Sequence, residues 1–442
     1  MMSQEYVRRS TCKYQDLCDQ FRFRDKGFSL QYYQFYAARL STLYESTRQA
    51  AIGNWGNEAK VVGLSELSAM ENGDRVVIIG ILFKHMQLQP TILKEISEDN
   101  QLIPQPVRDR YIDDQDFLVL QAERESVKLI GNLSVHSHTT GIVIGLLGYV
   151  SGEAKEFVVE DYCYPAYSSQ PSRPICTADK YVLLISGLGF GPEPSNALLS
   201  ARNMLSDFLS GMIMDEVEKA AKIVKVIVAG NLLSTNLRQK EEEADKKLLR
   251  KPWEKKSRNL TNDATREADS FLVELGKSIH VDILPGDTDP TGFLLPQEPI
   301  HHCILPRSSV SSGIRCVTNP YQASFDGVLF LGSSGQNVQN ICQYTDLKDP
   351  IEVLDKTLTW RHMAPTAPDT LQCYPNPDQD PFIVKNMPHV YFVGNQKKFG
   401  MKWKKVGQNA HVRFIALPSF ESTLQAVMIN LRDLSCELMG FM

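Results

Sequence analysis

The sequence predicts two architectures in succession, an all-β barrel and then an α/β domain. Three observations carry this. Five short β-type runs crowd into residues 61–165, strand-like runs alternate with helix-like stretches from 181 onward, and a Pro/Ser-rich stretch separates the two. At 442 residues there is chain enough for two or three domains, each burying its own core.

Residues 1–60 begin polar and then give SLQYYQFYAARLSTLYESTRQAAIGNW. There Tyr32, Phe35, Tyr36 and Leu40 recur at helical spacing around Ala37 and Ala38, which predicts an N-terminal helical segment packed on a domain. The next runs are RVVIIGILFKHM (75–86), DFLVLQ (116–121), VKLIGNL (127–133), GIVIGLLGYV (141–150) and EFVVEDYCY (156–164). Five strands parted by turns suit a small closed barrel, most commonly the oligonucleotide-binding (OB) design, so 61–165 is expected to be an OB-fold domain. Gly80, Gly131, Gly145 and Gly148 fall where a coiled barrel strand must bend. Residues 166–180 read as a linker. From 181 to 442 strands are expected at 181–186, 225–230, 281–286, 327–332, 389–394 and 412–420, with helices at 195–212 and near 263–279. The charge-dense insertion 235–262 is expected to be a solvated, mobile loop.

Composition excludes several classes. No apolar run reaches membrane-spanning length, and MMSQEYVRRSTCKYQ lacks the apolar centre of a secretory signal. Nine scattered cysteines with no CxxC pair argue against a structural zinc site and against a disulfide framework, which points to a reducing compartment, cytosol or nucleus. Net charge is −5, and residues 61–165 hold eight Lys or Arg against sixteen Asp or Glu. A barrel this acidic repels phosphate, so a protein-binding OB module is expected ahead of a single-strand binder. Two basic stretches, KKLLRKPWEKKSR (246–258) and KKFGMKWKK (397–405), interleave Lys with Trp in the pattern of a nucleic-acid contact, although a solvated loop face has the same composition.

The stretch YVLLISGLGFGP (181–192) passes from an apolar strand through glycines towards a helix. A dinucleotide fingerprint needs a third glycine where Pro192 stands. Pro192 and Pro194 also remove backbone N–H donors where a phosphate would sit, so the nucleotide reading fails.

The strand-then-turn punctuation instead resembles the calcineurin-like metallophosphoesterases, whose early strands end in Asp-x-His, Gly-Asp-x-x-Asp and Gly-Asn-His-Asp/Glu. The resemblance sets Gly187 where the first Asp belongs and Gly189 where its His belongs. Asn231 and Ser234 stand for the two Asp of the second motif. In ILPGDTDP, Asp287 replaces Asn, Thr288 replaces the catalytic His, and Asp289 is retained. RHMAP offers His362 as the lone His, and YFVGNQKKF puts Asn395 and Lys397 in place of the last pair of His. A two-metal centre holds its ions about 4 Å apart by a shared carboxylate and several imidazoles. With Asn231 at the shared position and Lys397 adding a positive charge, Asp289 and His362 are the only remnant candidates. No metal, cofactor or catalytic residue is expected, and the α/β domain is expected to be an inactive calcineurin-like fold.

An OB barrel followed by such a domain resembles the B-subunits (second subunits) of eukaryotic replicative DNA polymerases, the delta type most closely. The resemblance rests on FKHMQLQPTILKEISED (83–99), LIPQPVRDRYI (102–112), FVVEDYCY (157–164), LLISGLGFG (183–191), VAGNLLS (228–234), VDILPGDTDPT (281–291), VTNPYQASFDGVLFLGSSGQNVQNI (317–341), RHMAPTAPDTLQCYP (361–375) and HVYFVGNQKKFG (389–400). It implies a non-catalytic scaffold in the nucleus, acting in replication and repair. Such a scaffold grips the Cys-rich C-terminal module of the polymerase catalytic subunit and anchors a third, accessory subunit. It is shared with translesion polymerase zeta, meets DNA only through the assembled complex and has no membrane partner. Two other expectations compete with it, an active metal-dependent phosphoesterase or nuclease and a single-stranded-DNA-binding OB protein.

Overall fold

The computed structural model describes residues 7–22, 31–56, 60–67, 70, 73–90, 108–122, 125–151, 156–237, 240, 260–376, 378–407 and 410–442. Most of the 235–262 insertion and all of the basic stretch 246–258 lie outside the described residues. Two compact units emerge, each assembled from separated pieces of chain: Met1–Arg24 with Gln170–Gln336 and Met387–Met442, and Asp25–Ser169 with Asn337–Asn386. This division departs from sequence boundaries at 60 and 181, because residues 7–22 pair with a late strand and 337–386 cluster with the barrel.

In the barrel unit the strands run in the order Val76–His85, Phe117–Ala122, Glu125–Gly131, Glu156–Cys163, Val143–Ser151, and the last closes onto Val76–His85. Only Glu125–Gly131 and Glu156–Cys163 lie parallel within this ring, which is OB connectivity. Closure leaves the ring no free edge. A register shift at Leu147/Gly148 bends one wall. A Cβ on Gly148 would lie 1.9 Å from Val158 O, so only glycine fits there.

Helix Tyr32–Trp55 packs on three strands of this barrel. Its buried stripe is Phe35, Arg39, Leu43, Thr47 and Ala51, every fourth residue. Of the predicted aromatic face only Phe35 is fully buried, while Tyr32 is 39% exposed. The stripe differs because Arg39 finds partners inside. Its Nε lies 2.6 Å from Asp380 Oδ2, its Nη1 donates to Gly141 O and Pro365 O, and its Nη2 donates to Ala367 O.

The other unit holds two six-stranded mixed sheets. One runs Ile314–Cys316, Val281–Leu284, Ile223–Ala229, Tyr181–Ile185, Gln425–Asn430, Cys436–Gly440, and its first four strands are parallel. The second runs Tyr14–Asp16, Tyr321–Phe325, Val328–Ser333, Val390–Gln396, Ala410–Pro418, Gly400–Val406. Helices Asn196–Ser210 and Leu260–Ser278 contribute Leu205, Phe208, Leu272 and Leu275 to the first sheet's core. Ser195 caps the former by accepting from Leu198 N. Between the sheets, buried Asp282 accepts a hydrogen bond from Tyr321 and pairs with Lys225 at 2.7 Å. The Pro/Ser stretch is irregular but held, since Gln170 donates to Pro388 O and His411 O. Among the described residues no helix is long and apolar enough to cross a membrane.

Candidate functional site

Parallel strands end on one edge of their sheet, so the turns after them collect there. In the two-sheet unit the turns after Tyr181–Ile185, Ile223–Ala229 and Val281–Leu284 meet those after Val328–Ser333 and Ala410–Pro418, and the end of Val390–Gln396. This edge gathers the positions that the sequence singled out, with the exception of His362.

Gly187 donates from its N–H to Gly230 O at 2.9 Å and has φ +66°. A Cβ on it would lie 2.4 Å from Ser419 Oγ and 3.0 Å from Asn395 Oδ1. Gly189, also at φ +66°, faces Glu421, and a Cβ there would come within 2.7 Å of that side chain. Asn395 donates through Nδ2 to Ala229 O at 3.2 Å and Ser334 O at 2.8 Å, which ties the two sheets together. Asn231 accepts from Asp287 N at 3.0 Å, Thr288 donates to Leu233 O at 2.7 Å, and Ser234 donates to Glu421. Lys397 is exposed.

Asp289 is buried. Its Oδ1 accepts from Leu233 N at 3.0 Å and its Oδ2 from Gly286 N at 2.8 Å. Burial raises its pKa to about 6, against the opposing pull of these amides. Both oxygens therefore staple two strand-end turns to each other. Donors of this kind surround an anion and offer nothing to a cation.

His362 belongs to the barrel unit, within Asn337–Asn386. Its Nε2 lies 2.7 Å from Asp380 Oδ2 and its Nδ1 accepts from Ala364 N at 3.2 Å, so both ring nitrogens are committed. Burial, then the charge of Arg39, lowers its pKa to about 4. Burial would raise Asp380, but His362 and Arg39 outweigh it and hold the carboxyl at about 2. The unfolded imidazole takes up a proton near its ordinary value while the folded one resists until about pH 4. The stability this contributes is thus present above about pH 6.5 and lost on acidification towards 4, on the order of 2–3 kcal/mol. Thermal melts between pH 7.5 and 4.5 should show that loss, with a flatter profile in His362→Gln.

Among the described residues, one trio of His, Cys, Asp or Glu side chains has its ligand atoms within 4.8 Å of one another. It is exposed His301, His302 and Cys303, which sequence reading passed over because it is a single short turn rather than a spaced motif.

Comparison with known proteins fits this geometry. Residues 182–401 match the family model of the DNA polymerase alpha/epsilon B-subunit, and residues 31–162 match that of the DNA polymerase delta subunit OB-fold domain. The chain is 35% identical over 429 residues to DNA polymerase delta subunit 2 of Drosophila melanogaster, covering 97% of each. It is 37% identical to the DNA polymerase delta small subunit of Arabidopsis thaliana, covering 99% of this chain and 98% of the relative. The corresponding Saccharomyces cerevisiae small subunit is 30% identical, with 95% and 91% covered. An OB barrel and a two-sheet unit matched along nearly their whole length leave one assignment: the chain belongs to the family of DNA polymerase delta small subunits.

Proposed function

We propose that this chain is a non-catalytic accessory subunit of polymerase delta, a scaffold that joins the catalytic subunit to a further accessory subunit in replication and repair. The observation that carries this reading is near-full-length similarity to delta small subunits in an insect, a plant and a yeast. On this reading the chain grips the Cys-rich C-terminal module of the catalytic subunit, works in the nucleus, and serves translesion polymerase zeta in the same way. The OB barrel and the two-sheet unit act as shaped surfaces.

The two-sheet unit is, in this proposal, a calcineurin-like phosphoesterase fold that no longer holds metal. Support comes from Gly187, Gly189, Asn231, Ser234, Thr288 and Asn395 at the strand-end edge, where backbone and side-chain hydrogen bonds fill the space. Asp289 spends its oxygens on amides. A metal-dependent phosphoesterase would need several more anionic or imidazole ligands there.

The full chain, incubated with Mn²⁺ and bis-p-nitrophenyl phosphate or single-stranded DNA, should show no turnover. Hydrolysis abolished by Asp289→Ala would overturn the scaffold reading. Size-exclusion co-elution with the catalytic subunit's Cys-rich module tests assembly itself. Co-elution should survive EDTA treatment of this chain alone, provided the partner's own metal is intact.

A further inference from the structure

Between Asp380 and Glu421 the sequence carries no Asp or Glu, although the whole chain has a net charge of −5. The structure folds the middle of this stretch into an antiparallel pair, Gly400–Val406 on Ala410–Pro418, with Gly400–Val406 at the outer edge of its sheet. Trp403 stands opposite Arg413. The Arg413 guanidinium carbon lies 4.6 Å from the indole centroid, and the His411 ring stacks on the indole at 5.6 Å with 24° between planes. Arg413 is itself fixed by donating to Leu434 O. Trp403 nevertheless remains 41% exposed and Met401 51% exposed, with Lys405 exposed two residues on along the strand and Lys397 and Lys398 exposed in the turn that leads into it.

Lysines alone on an edge strand would be explained as protection against edge-to-edge pairing. That purpose does not call for an exposed indole held in place by a cation and an imidazole. A fixed aromatic platform on a strand with exposed lysines along and before it is the combination that single-stranded nucleic acid recognises, with phosphates on the cations and an unstacked base on the ring. We propose that the Gly400–Val406 edge is a binding surface for single-stranded nucleic acid, with Trp403 as the stacking platform and Lys397, Lys398 and Lys405 as phosphate contacts. This site lies in the two-sheet unit and owes nothing to the acidic barrel, and binding to it does not require assembly with a polymerase.

The test is fluorescence anisotropy of a labelled 20-nucleotide oligo(dT) against the full chain at about 50 mM salt. Wild type should bind with an affinity that falls as salt rises. The Lys397→Glu/Lys398→Glu/Lys405→Glu chain should bind about tenfold more weakly, with a salt slope reduced by roughly two. Trp403→Ala should bind about fivefold more weakly at an unchanged salt slope, and Trp403→Phe should recover most of that loss. The proposal is overturned if wild type does not bind, if the folded lysine variant binds as wild type does, or if duplex of equal length binds as tightly with no effect of Trp403→Ala. Displacement of oligo(dT) by poly-glutamate at equal charge would equally overturn it, because it would mark the edge as a site for an acidic protein.

Discussion

Replacing Arg39 with methionine should cost the barrel unit about 3–5 kcal/mol, because it leaves the Asp380 carboxylate buried without its cation. Arg39 and Asp380 are both fully buried, 2.6 Å apart. The guanidinium also satisfies three carbonyls, Gly141 O, Pro365 O and Ala367 O. Lysine cannot replace it, since one ammonium has neither the reach nor the forked geometry for four acceptors. His362 would remain bonded to Asp380, but its burial opposes the protonation it would need to replace the lost cation. Urea denaturation of Arg39→Met should show the loss. Arg39→Met combined with Asp380→Leu should lose less than the two single effects summed, since removing both charges avoids the unpaired one. Strict additivity would mean that the pair is not coupled.

Placing Asp and His at the strand-end edge should destabilise the two-sheet unit without creating a metal centre. Gly187→Asp forces a side chain onto φ +66° and sets its Cβ 2.4 Å from Ser419 Oγ. Gly189→His meets the same backbone conformation and drives into Glu421. Each change should cost on the order of 2–4 kcal/mol from backbone strain and overpacking together. The double variant should melt well below wild type, and Mn²⁺ should not raise its Tm. Recovery of several degrees on adding Mn²⁺ would show that the space admits an ion.

The same residues mark what local sequence can and cannot reveal. The five barrel strands and the strand-end glycines were legible because period-two runs and strand-then-turn punctuation are local signals. Arg39 was not, because helical periodicity ranks residues by hydrophobicity and a buried cation defeats that ranking. Its justification lies in Asp380, 341 residues away. Tyr14–Asp16 was equally silent, being three polar-to-aromatic residues that form a strand only through pairing with Tyr321–Phe325. Helix Gln336–Tyr344 starts inside a motif read for its resemblance, and helix Pro350–Thr359 falls between two such motifs, where no helix was expected. His362 was aligned by its order along the chain, whereas its unit is decided by which strands the surrounding segment packs on.

The interleaving of the two units governs how the chain can be made. Residues 7–22 leave the ribosome long before their partners: Lys13 waits for Asp326, 313 residues later, and the neighbouring strand waits as long for its partner. At typical translation rates that is roughly 15–60 s during which an N-terminal edge has nothing to pair with. The barrel unit can close once Asn386 has emerged, whereas both sheets of the other unit need strands from the final segment, Met387–Met442. Vectorial synthesis therefore finishes the OB unit first. A nonsense codon between residues 387 and 409 would yield a nascent chain with one completed unit and two sheets lacking strands, a ready substrate for chaperones and proteases.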